Sequence, residues 1–154
     1  MSKDSGADAD GAILSDFKGG MASWASAVDA HKQAPPDLNF ATRLAALAQG
    51  ASEAARVCRI AYSAGFQWPP ARKADSAPPY ELRPGTGRRG PEDLWRRFDL
   101  AITRLSTVAA GENMLEVGLA YEELASIAGT LADAVATEDA PGSKRPKPSG
   151  RRAA

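Results

Sequence analysis

One histidine, one cysteine, two adjacent glutamates and a short glycine and arginine run are the residues of this chain best suited to chemistry. A nucleophile pair would need His31 and Cys58 to meet, and a His and Cys metal cluster cannot be assembled from one residue of each kind. Both lie on apolar helical seams, where a buried thiol and a packed, helix-ending imidazole are the simpler assignments. Glu122 and Glu123 form a carboxylate pair in sequence only, because adjacent residues on a helix point about 100° apart. A solvated acidic face is expected there, not an acid and base pair. The run PGTGRRG, from Pro84 to Gly90, lacks the adjacent lysine and hydroxyl pair of a phosphate-cradling loop and follows no strand.

A nucleic-acid reading has more residues behind it. LAALAQGASEAARVCRIAYSAG, residues 44–65, has the alanine and glycine texture of a helix-turn-helix, with a turn near Gly50 and with Arg56 and Arg59 on the recognition helix. The apolar phase nevertheless runs through Gly50 without the break that a change of helix direction requires. Arg83, Arg88, Arg89, Arg96, Arg97 and the basic C-terminus could supply weak, salt-sensitive phosphate contacts. They could equally neutralise the acidic last helix.

The elements that must position these residues are helical. Leu14, Phe17, Met21, Trp24, Val28 and His31 alternate by three and four, as do Phe40, Leu44, Leu47, Ala51, Ala54, Cys58 and Ala61. Leu94, Phe98, Ala101, Leu105 and Val108 make a third seam, and Val117, Ala120, Leu124, Ile127, Leu131 and Ala134 a fourth. Gly111, in a left-handed conformation, is expected to end the third helix, and Asn113 with Glu116 resembles a capping pair for the fourth. Asp37 or Asn39 is expected to cap the second. Gly19 and Gly20 either fray the first helix or mark a close crossing, and Gly50 could split the second. Beside the large seam of the last helix, Gly118, Ala125, Gly129, Ala132 and Ala136 form a stripe of small residues that invites the Ala-rich second helix to approach closely.

These patterns predict an all-α protein, a four-helix bundle of two helical hairpins joined by a long Pro/Gly-rich crossover, with disordered termini. The expected division is a disordered acidic N-terminus over 1–11, one bundle domain over 12–137 and a flexible basic tail over 138–154. Within the domain the helices are placed at 12–34, 37–64, 91–110 and 113–137, with the crossover strap at 65–90. Pro91 is expected to open the third helix, and Glu138 and Asp139, at the negative end of the dipole, to fray the last turn of the fourth. The strap carries Phe66, Trp68, Tyr80 and Leu82, each pair spaced by two so that extended backbone points it to one side. Two readings stand. Either these side chains pin the strap to the bundle, or they form a partner-docking segment.

Composition narrows the function classes. The 154 residues suit a single domain with a real core, and the alanine-rich, aromatic-poor composition favours closely packed helices over a sheet. Formal charge is zero, yet the acids Glu112, Glu116, Glu122, Glu123, Asp133, Glu138 and Asp139 are followed by the basic run Lys144, Arg145, Lys147, Arg151 and Arg152. The most apolar window, Val117 to Ala136, contains three acids, each costing about 3 kcal/mol in a bilayer, so no membrane span is expected. A lone cysteine and an acidic N-terminus suggest the cytoplasm, and the Ala, Gly, Pro and Arg bias suggests a high-GC bacterial coding sequence. The expected role is non-enzymatic, with no cofactor. Association with a protein partner or with itself comes first, and nucleic-acid regulation through the arginines is the alternative.

Overall fold

The apolar seams become four helices in the computed structural model, which describes residues 2–33, 39–68 and 89–139. They are α1 (Ser2–Gln33), α2 (Phe40–Ser63), α3 (Glu92–Ala109) and α4 (Met114–Asp139), and the described residues contain no strand. Helix α1 packs on α2, α2 on α4, and α4 on α3. The α1–α2 and α3–α4 hairpins thus meet through their second helices.

That central contact is made by small residues. A Cβ placed on Gly118 would lie 3.1 Å from Cys58 Cβ, and one on Gly129 would lie 4.0 Å from Ala48 Cβ. As α2 runs from Ala48 to Cys58, α4 runs back from Gly129 to Gly118, so the two are antiparallel and their backbones nearly touch. The first hairpin crosses as closely. A Cβ on Gly20 would fall 2.5 Å from Val57 Cγ2, and one on Gly50 3.0 Å from Ser23 O. Gly20 and Gly50 are therefore crossing points, and α2 passes through Gly50 unbroken, which removes the helix-turn-helix reading.

Large side chains fill what the small ones leave. Trp24, Trp95, Tyr121, Phe17, Phe40 and Phe98 are all buried. Tyr121 on α4 meets the edge of Trp24 at 5.8 Å and donates its hydroxyl to Met21 Sδ at 3.9 Å, so the last helix touches α1 as well as its two neighbours. On α3 the buried set is Trp95, Phe98, Ala101 and Leu105, while Leu94 and Val108 are half-buried. The seam is thus rotated at its start. Trp95 takes the core position because its Nε1 donates to Arg89 O at 2.9 Å.

The helix ends depart from expectation in several places. Helix α1 runs from Ser2, ten residues ahead of the start expected at residue 12, in a stretch whose alanines favour that state. Helix α4 continues to Asp139, two residues past the end expected at 137. Asn39 holds the N-cap place of α2 but is itself left-handed (φ 53°) and makes no side-chain cap bond, while Asp37 lies outside the described residues. Pro91 is the N-cap of α3, one residue outside the helix. Gly111 is not left-handed, since Ala110 ends α3 in right-handed conformation and Gly111 N–H donates to Val108 O at 3.0 Å. The left-handed glycine stop belongs to α2: at Gly65 (φ 90°) the N–H donates to Tyr62 O, and Phe66 N–H reaches Ala61 O, the paired bonds of a Schellman end. Asn113 does cap α4, its Oδ1 accepting from Glu116 N–H at 3.1 Å.

Candidate interaction surface

Surface chemistry on this bundle is set by how the helices answer each other's charges. Arg59 of α2 pairs with Glu122 of α4, and Arg104 Nε of α3 lies 3.7 Å from Glu123 Oε1. Neighbours in sequence, Glu122 and Glu123 therefore reach opposite ways, one to each helix flanking α4. They do not form a carboxylate pair. Arg56 pairs with Glu53 and with Asp16 of α1, whose hydrogen bonds hold its guanidinium well above the usual arginine range. All these pairs are solvent-exposed, so screening by water leaves each with little net contribution to stability.

Between the pairs, large apolar side chains stand open. Leu100 of α3 is 66% exposed, Leu119 of α4 53% and Tyr62 of α2 49%, with Ile60 and Leu115 less so. An open groove of about 550 Å³ runs along the α1–α2 crossing, lined by Gly19, Ser23, Ser26, Gln49 and Glu53 among others. Its one acid, Glu53, is engaged with Arg56.

The sequence-derived site residues are scattered by the fold. Trp68 is 1% exposed, meets Phe17 of α1 at 5.7 Å, and donates Nε1–H to Ala109 O at 2.8 Å. Phe66 is half-buried against the core. Tyr80, Leu82, Arg83 and Arg88 lie outside the described residues. Arg89 lies 5.8 Å from the Phe40 ring centroid, with Arg43 at 5.6 Å from the same ring, so both guanidinium groups engage its π system. Arg96 and Arg97 are exposed on the first turns of α3. The open leucines were missed because Leu100, Leu115 and Leu119 lie off the seams, and only their size amid polar neighbours marks them.

Neither chemistry-bearing single residue is presented for reaction. His31 packs on Phe40 at the first residue of α2, and Cys58 lies eighteen positions further along that helix, roughly 27 Å away at 1.5 Å per residue. Burial pushes the Cys58 thiol up to about 12, which leaves no appreciable thiolate at neutral pH. Among the described residues no group of three or more His, Cys, Asp or Glu side chains is placed to hold a metal ion. Nor is any described helix long and apolar enough to cross a membrane.

The buried imidazole gives the bundle a pH dependence. Burial first, and the Arg43 charge second, bring His31 down from 6.5 to about 4. The fold thus prefers neutral imidazole, and between these values the unfolded chain binds more protons. His31's contribution is fully present above pH 6.5 and is lost as pH falls towards 4, by at most about 3 kcal/mol. Urea unfolding at pH 7.5 and at pH 4.5 should show the wild type losing more stability than His31→Gln, in which the carboxylates are unchanged. Equal losses would show that His31 titrates normally in the fold.

Compared with protein-family models, with curated proteins and with solved structures, the chain matches none.

Proposed function

We propose that this chain is a non-enzymatic helical bundle that acts by protein association, with itself or as a small adaptor or regulatory partner, in the cytoplasm. The observation that carries the reading is how its large apolar side chains are divided. All three tryptophans are buried, whereas Leu100, Leu119 and Tyr62 remain about half or more exposed on regular helices. Apolar area held open on a well-packed scaffold gains about 25 cal/mol per Å² when a partner covers it.

The alternative, a nucleic-acid-associated regulator, has exposed Arg96 and Arg97 and the composition of the C-terminus in its favour. Against it, Arg59 and Arg104 are directed to the acids of α4. Retention of labelled duplex and single strands by the immobilised full chain, at low and at moderate salt, separates the two. No retention at either salt is expected. Retention that falls steeply with salt, and that is lost on removing residues 141–154, would transfer the function to nucleic acid.

A further inference from the structure

We propose that the outer face of the α3–α4 hairpin is a self-association surface, and that its occupant is the same face of a second copy, with α3 of each chain lying over α4 of the other. The inference rests on the association reading and assigns it a surface and a partner. Its centre is the Arg104–Glu123 ion pair, which crosses the hairpin with both side chains about half exposed or more. Leu100 precedes Arg104 by one helical turn, and Leu119 precedes Glu123 by one turn, so each leucine shares a stripe with its charge. Because the helices of a hairpin run in opposite directions, the two leucines flank the ion pair on either side, about 12 Å apart along the axis.

Charge selects the symmetry. From Arg96 onward α3 carries Arg96, Arg97 and Arg104 against the single acid Asp99, while α4 has acids and no Lys or Arg. A two-fold axis perpendicular to the helices would lay arginines on arginines and acids on acids. An axis parallel to the helices lays α3 over α4 of the second copy, with Arg104 facing its Glu123 and Arg97 within about a turn of its Asp133.

The same superposition gives each leucine a shallow seat. Leu100 falls over Ser126 and Thr130 of the second copy, and Leu119 over Thr107, all exposed and small. Thr107 and Thr130 donate their hydroxyls to the carbonyls four residues back, at 3.0 Å in both cases. Their polar groups are therefore satisfied within their own helices, and covering them strands no donor. The face measures roughly 27 Å by 20 Å, which is at the small end of specific interfaces and suits a dimer that dissociates on dilution.

Sedimentation equilibrium of the full chain over a wide concentration range tests the surface. A monomer and dimer equilibrium is expected, weakening as salt rises. Leu100→Glu with Leu119→Glu should give a monomer whose thermal melt matches that of the wild-type monomer, since both positions are exposed. Arg104→Glu and Glu123→Arg should each weaken the dimer about tenfold or more, because like charges then face each other. An equimolar mixture of these two variants should restore it, although neither chain can make its internal pair. A wild-type monomer at every concentration overturns the proposal, as does a dimer indifferent to both sets of variants. The broader association reading fails separately, on nucleic-acid retention.

Discussion

Trp68→Ala is expected to destabilise the bundle by about 3 to 5 kcal/mol, lowering the melting temperature by roughly 10 °C. Trp68 ties together three parts of the chain that are distant in sequence. Its ring edge meets Phe17 of α1, its indole N–H caps the carbonyl of Ala109 at the last residue of α3, and its backbone N–H donates to Glu112 O in the turn before α4 at 3.2 Å. Truncation removes the aromatic contact, opens a cavity against Phe17 and leaves a helix-end carbonyl without its indole donor. Trp68→Phe keeps most of the volume and loses the hydrogen bond, so about 1 to 2 kcal/mol is expected from it. Thermal melts followed by circular dichroism decide the matter. A shift of under about 2 °C for Trp68→Ala would mean that the ring is free, as a docking segment requires.

Much of this fold was legible because helical seams are local. Every seam position named for the second helix, from Phe40 to Ala61, is buried, and the small stripe of the fourth correctly identified α2 as its neighbour. Illegible features depend on partners far away in sequence. Both Leu94 and Trp95 fit a three or four residue spacing to Phe98, and only the bond from Trp95 to Arg89 O, with Gly90 packed on Leu131 and Val135, decides for the tryptophan. Trp68 was ambiguous for the same reason, since Phe17, Ala109 and Glu112 meet only in space. The proposed association surface was half legible. Segregated charge left open whether the arginines serve phosphate or answer α4; in the fold Glu122 and Glu123 turn to Arg59 and Arg104 on opposite neighbours, and Leu100 and Leu119 stand outward around the second of these pairs.

Gly50 and Gly19 should respond to the same substitution with opposite signs. Both lie inside helices, where alanine is favoured over glycine by about 1 kcal/mol. A Cβ at Gly19 meets nothing within 4 Å, so Gly19→Ala should stabilise by roughly 0.5 to 1 kcal/mol. A Cβ at Gly50 would instead stand 3.0 Å from both Ser23 O and Trp24 Cα and 3.3 Å from Ser23 C. These are backbone atoms of the facing helix, so no side-chain rotation relieves the contact and α1 itself must shift. Any shift is resisted by Trp24, which is 0% exposed and wedged edge-on against Tyr121. Overpacking of this kind costs about 1 to 3 kcal/mol, which exceeds the propensity gain. Gly50→Ala should therefore be less stable than the wild type, and Gly50→Leu should lose the cooperative transition or unfold well before it. Chemical denaturation of the three variants provides the comparison. If Gly50→Ala stabilised as much as Gly19→Ala, α1 and α2 would not cross at this glycine.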